Sequence, residues 1–173
     1  MNFDPGPPAE VAYRSTDDGR WTLRFVRDLR HPPARVWRTL TEPDLLAQWA
    51  PFTADRDLGT PGPATLTMID GEVAVPLDAV VTSVEAPRLL QYTWGEDLLR
   101  WELAATGEGT RLTLWHTLAD RDFVSKVAAG WHQCVRVMEL LLDGTPHPPV
   151  RGADALNHGW SALEESYRKT LST

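Results

Sequence analysis

Polar and apolar residues first alternate in RWTLRFVRDLR, residues 20–30. Trp21, Leu23, Phe25 and Leu29 oppose Arg20, Thr22, Arg24 and Asp28. A period of two sends these sets to opposite faces and predicts a half-buried strand, with Val26 and Arg27 out of pattern. The next segment, HPPARVWRTLTEPDLLAQW (31–49), changes period. Pro33 suits a first helical position, and Val36 and Leu40 share a helical face. Thr41 can cap a second short helix, with Pro43 in its first turn and Asp44 reaching back from the third position. Leu45, Leu46 and Trp49 form its apolar side. From Phe52 to Leu118 short β-rich runs follow one another. They are separated by turn signals at Asp70-Gly71, Ala86-Pro87, Gly95-Glu96 and Gly107-Glu108-Gly109, the texture of an antiparallel meander. Two runs alternate cleanly: Leu99, Trp101, Leu103 and Leu112, Leu114, His116, Leu118.

DRDFVSKVAAGWHQCVRVMELLLDG (120–144) is the strongest helix signal. Asp120 caps it and Gly144 ends it. Phe123, Val127, Trp131, Cys134, Met138 and Leu141 recur at steps of three and four and make one apolar stripe. His132 points away from that stripe and is expected in solvent. Gly130 costs the helix roughly 1 kcal/mol against Ala, which implies close approach to another element or room for the Trp131 ring. A Pro- and Gly-broken connection leads to WSALEESYRKTL, where Trp160, Leu163, Tyr167 and Leu171 share a face. This last helix is expected on the domain surface or against a second copy of the chain. Residues 1–19 have no period and read as a loose leader, with a short strand near Val11–Tyr13. No solenoid repeat is present.

Composition narrows the function. Seventeen basic residues against 24 acidic give a formal charge of −7, which disfavours nucleic acid and anionic membranes as partners. One cysteine, Cys134, excludes an internal disulfide and a Cys-rich zinc site. No histidine pair has ligand spacing, so neither a metal nor another cofactor is expected. The first residues lack a signal-peptide pattern, and no apolar run is long enough to span a bilayer. A soluble, cytoplasmic chain is the expectation. Eight tryptophans, at 21, 37, 49, 94, 101, 115, 131 and 160, mean either a Trp-rich core or a pocket with aromatic walls.

Three stretches carry a family resemblance: HPPARVWRTLTEPDLLAQWAPF, VEAPRLLQYTW, and GTRLTLWHTL followed by GWHQCVRVMELLLDG. They resemble the START-like (polyketide cyclase-like, SRPBCC) superfamily, and within it the homologues of the heat-shock-protein ATPase activator. The resemblance spans about residues 20–144 and leaves 145–173 outside. It implies an α+β helix-grip fold: a curved antiparallel sheet wrapped around the long helix, two short helices after the first strand, and here an extra C-terminal helix. It also implies an interior site for apolar or amphipathic small molecules in many members, with co-chaperone modules or enzymes among others.

On that arrangement the long helix should supply Val127, Trp131 and Cys134 to a cavity wall. The strands should supply Leu66, Met68, Tyr92, Trp94, Trp101, Leu114 and His116. Trp49 and Phe52 should sit near the open end, with Trp49 as a gate and Trp37 in the core. His116, in phase with Leu112 and Leu114, is the one inward polar group with acid-base capacity; its bland alternative is a hydrogen bond within the core. No paired carboxylates, nucleophile elbow or phosphate loop accompany it. The leading expectation is a binder of a hydrophobic small molecule with no defined reaction. Two alternatives stay open: a protein-interaction or co-chaperone-like module with a filled core, and a cyclase- or hydrolase-like enzyme using His116, with Tyr92 as a second polar point.

Overall fold

The computed structural model describes residues 3–172. Eight strands form one antiparallel sheet in the order β1-β2-β8-β7-β6-β5-β4-β3. β1 (Glu10–Ser15) and β2 (Trp21–Leu29) form one edge. After β2 come two helices, α1 (Pro33–Thr41) and α2 (Pro43–Leu46). The meander follows: β3 (Phe52–Ala54), β4 (Gly62–Asp70), β5 (Val73–Glu85), β6 (Leu89–Trp94), β7 (Asp97–Ala105) and β8 (Thr110–Leu118). A 3₁₀ turn at Arg121–Phe123 opens α3 (Val124–Leu142). A second 3₁₀ stretch, Gly152–His158, leads into α4 (Trp160–Leu171). This is the α+β helix-grip arrangement, a curved sheet closed around a long helix.

The alternation in β2, β7 and β8 sets the inner face. Leu23 pairs with His116, Leu99 with His116 and Trp101 with Leu114 in register. All of these side chains are buried. Each fully buried leucine among them contributes roughly 1.5–3 kcal/mol. Trp21, at the strand end, is only half-buried.

The two short helices depart from expectation in detail. Thr41 does not cap α2; it closes α1, and its hydroxyl donates to the Trp37 carbonyl at 3.0 Å. The break falls at Glu42, whose extended backbone (φ −78, ψ 125) precedes Pro43, and no side chain caps α2. Neither Trp37 nor Trp49 takes its expected place in full. Trp37 is half-buried on α1. Trp49 is fully buried; its indole donates to the Thr39 carbonyl at 2.8 Å and its ring meets Trp101 edge-on at 5.9 Å. A buried indole needs an acceptor, and the end of α1 supplies one.

α3 is buried on more than the expected stripe. Phe123 belongs to the 3₁₀ turn and is 48% exposed. His132, expected in solvent, is fully buried. Its ring sits between Tyr167 of α4 and the Pro5 carbonyl, each at 2.6 Å. A carbonyl only accepts, so His132 Nε2–H donates to Pro5 and Nδ1 accepts from the Tyr167 hydroxyl. The Tyr167 oxygen in turn accepts the Ala9 N–H at 2.8 Å. Residues 3–9, read from sequence as part of a loose leader, are therefore tied to α3 and α4. Arg136 Nε donates to the Asp4 carbonyl at 2.9 Å and Arg27 Nη1 to that of Pro7, also at 2.9 Å. Burial, with Arg27 and Arg136 nearby, lowers the His132 pKa from 6.5 to about 4. α4 spends Tyr167 and Leu171 on its own domain.

Candidate functional site

A partly open cavity of about 220 Å³ lies between α3, the sheet and the C-terminal segment. Trp94 ends β6 and His116 lies on β8; both face Val127, Gly130, Trp131 and Cys134 of α3 across it. Val150, Arg151, Gly152 and Ala155 cover it from the C-terminal side, and Gln133, Trp160, Lys126 and Pro51 complete its lining.

The aromatic wall is held by edge-on contacts and one polar relay. Trp131 meets Trp101 at 5.3 Å and 90°, and Trp94 at 6.0 Å. Trp94 also packs on Phe52 at 5.1 Å. Trp131 Nε1–H donates to His116 Nδ1 at 2.9 Å. That bond fixes the tautomer: the His116 proton is on Nε2 and is donated to Asp97 at 2.7 Å. Asp97 also lies 3.8 Å from the Arg20 guanidinium. Both ring nitrogens of His116 are thus engaged by the protein, and neither offers a lone pair or a proton to a molecule in the cavity. The arrangement orients Trp131. Tyr92 is no substitute, because its hydroxyl accepts from Trp101 Nε1 at 3.1 Å and burial pushes its pKa up. Burial likewise raises the Cys134 thiol to about 12, which keeps it protonated and unreactive.

The C-terminal segment is clamped over the cavity. Arg151 Nε and Nη2 donate to the Ala50 and Ala47 carbonyls, both at 2.8 Å. The buried Gln133 amide donates to the carbonyls of Ala155 and His158, both at 3.1 Å. Asp70 accepts the Ala153 N–H at 3.1 Å from the far hairpin.

Of the twelve side chains expected to line a cavity, Trp94, His116, Val127, Trp131 and Cys134 do so. Trp49, Phe52, Leu66, Tyr92, Trp101 and Leu114 are buried behind that wall, in the packed core. Met68 shares the Leu66 face but lies beyond the covered part of β4 and is 38% exposed. The sequence reading missed Gly130, Arg151 and Trp160. Gly130 carried a signal, an unexplained glycine inside a strong helix. Arg151 belongs to a connection without a period, and the helical face that holds Trp160 does not say which element it meets. Among the described residues no cluster of His, Cys, Asp and Glu could hold a metal ion, and no helix is long and apolar enough to cross a membrane.

Several solved structures share this fold. A conserved protein of unknown function from Enterococcus faecalis superposes with a TM-score of 0.71 at 18% identity, covering 94% of this chain and 91% of its own. A protein from Bordetella parapertussis gives 0.65 at 22% identity, covering 99% and 96%. An AHSA1-like protein from Aeromonas hydrophila gives 0.60 at 18% identity, covering 73% and 96%. The first two extend over nearly the whole chain, so the superposition there takes in most of the C-terminal segment. No curated protein matches. The model of the family described as Activator of Hsp90 ATPase homolog 1-like protein matches residues 30–143, about two thirds of the chain, and the chain belongs to that family, within the START-like superfamily.

Proposed function

We propose that this protein binds a small apolar or aromatic molecule in the cavity beneath its C-terminal segment and catalyses no reaction there. The observation that carries this reading is Gly130. Glycine inside a helix costs roughly 1 kcal/mol against alanine, and close backbone approach would be the usual reason to keep it. Here a Cβ at 130 would meet nothing within 4 Å. Gly130 is half-buried and lines the cavity together with Trp94, Trp131 and Trp160. A filled core would place a side chain there. The engaged nitrogens of His116 and the raised pKa values of Tyr92 and Cys134 argue against the enzyme alternative.

The interaction-module alternative drew on the aromatic residues of α4. Tyr167 is buried against His132, and Trp160 is half-buried at the cavity. Little of that face is left for a partner.

Titration with small one- and two-ring aromatics, followed by tryptophan emission, tests the reading. We expect wild type to respond and Gly130→Leu to lose the response while melting no lower than wild type, since leucine is the better helix former. A silent wild type across a broad panel, or a G130L protein that binds equally well, would overturn it.

A further inference from the structure

The cavity is lined by cations without anions. Arg151 and Lys126 are in its wall, and no aspartate or glutamate is, in a chain that carries a formal charge of −7. Arg151 is half-buried and makes no ion pair among the described residues. Two of its three nitrogens are spent on backbone carbonyls, while Nη1 has no bond there. Lys126 stands at the rim with its ammonium 4.5 Å above the Phe123 ring, also without a carboxylate. Neighbouring acids have other partners: Asp97 bonds His116 and faces Arg20, Asp70 takes the Ala153 N–H, Asp154 pairs with His158 and Asn157, and Glu164 accepts from Ser125. A second donor is also unsatisfied, for the buried Trp94 indole N–H has no acceptor among the described residues.

A half-buried guanidinium without a counter-charge has lost part of its hydration with no full charge to offset it. Burial acts against its charge, and its pKa is lowered accordingly. A backbone carbonyl supplies only a dipole. A carboxylate would supply a full charge and take the free Nη1 in a charge-assisted bond, roughly twice as strong as a neutral one. Three tryptophans, two valines, Ala155, Pro51 and Cys134 make most of the remaining lining apolar, which suits a ring; His116 and Gln133 are the other polar side chains there, both engaged by the protein. Size limits that ring: about 150 Å³ is enough for benzene, so about 220 Å³ admits one or two fused rings.

Resting on the binding role proposed above, we infer that the ligand is a small aromatic carboxylate, its rings against Trp94 and Trp131 and its carboxylate on Arg151. Arg151 then has two tasks. It clamps the C-terminal segment to the α2–β3 loop through Nε and Nη2, and it reads the ligand's charge through Nη1.

Isothermal titration with 2-naphthoate and its neutral isostere 2-naphthamide tests this in wild type, Arg151→Gln and Arg151→Lys. In wild type the acid should bind about tenfold more tightly than the amide or better, with an advantage that shrinks as salt is raised. R151Q should bind acid and amide alike, and R151K should keep part of the preference. Equal binding of acid and amide by wild type would overturn the carboxylate assignment and leave the cavity reading standing. A preference surviving intact in a folded R151Q protein would remove Arg151 as the anchor. Binding of neither compound would sink both this inference and the reading beneath it. Should R151Q fail to fold, the wild-type comparison with its salt dependence decides alone.

Discussion

Acidification should destabilise this protein through His132. The ring is fully buried, donates to the Pro5 carbonyl and accepts from Tyr167. A second proton would have to enter on Nδ1, where the Tyr167 hydroxyl already donates, and would do so close to Arg27 and Arg136. Its pKa falls from 6.5 to about 4 on folding, so the unfolded chain binds the extra proton more readily. Stability is therefore intact above the unfolded value of 6.5 and is lost as pH falls toward the folded value. From those two values the loss is about 2 kcal/mol at pH 5 and about 3 kcal/mol at pH 4. Against a total of roughly 5–15 kcal/mol for a typical domain, this is a large fraction. Urea unfolding at pH 7 and pH 5, for wild type and His132→Gln, measures it. Glutamine is neutral throughout, and its amide can still donate and accept. Other titrating groups contribute to both proteins, so the difference between the two pH dependences isolates His132. Wild type should lose about 2 kcal/mol more than H132Q between pH 7 and pH 5. Equal losses would refute the reasoning, because they would mean that the folded ring takes up its proton as readily as the unfolded one.

Two further outcomes follow from the same geometry. Tyr167→Phe removes the group that accepts from Ala9 and donates to His132, and should cost about 1–3 kcal/mol in urea unfolding; a loss below 0.5 kcal/mol, roughly, would show that water takes over both bonds. Cys134, with its thiol held near 12 against an ordinary 9.0, should react with a small methanethiosulfonate at pH 8 about a thousandfold more slowly than in urea; comparable rates would contradict its burial.

Much of the fold is legible from local pattern, because a strand or helix writes its period directly into neighbouring residues. The clean alternation of Leu99, Trp101 and Leu103 with Leu112, Leu114 and His116 marks an inner sheet face, and all six are buried. His116 reads correctly as inward-facing. What it does there is not legible, since its partners Trp131 and Asp97 come from other elements. The error at His132 has the same origin. Its burial depends on Tyr167 and Pro5, 35 and 127 residues away, and a single apolar stripe says nothing about them. The helix did carry a warning. Ala128, Ala129 and Val135 lie off the stripe and are buried, and a helix that is apolar nearly all round is buried on several sides. The places of Trp49 and Trp37 in the chain do not tell which indole is hidden; the acceptor at Thr39 decides it. The cavity depends on the connection between Gly144 and α4, which has no period and is positioned by Arg151 and Gln133 through backbone carbonyls. Contacts of that kind leave no trace in a hydrophobic pattern.

The claim on which the account turns is that the space between Trp94, Trp131 and Gly130 receives a ligand. Indole N–H resonances of ¹⁵N-labelled protein, followed during addition of 2-naphthoate, test it most directly. The account predicts shifts at Trp94, Trp131 and Trp160, with Trp37 and Trp115 unmoved. An unchanged spectrum, or shifts led by Trp37 and Trp115, would contradict it.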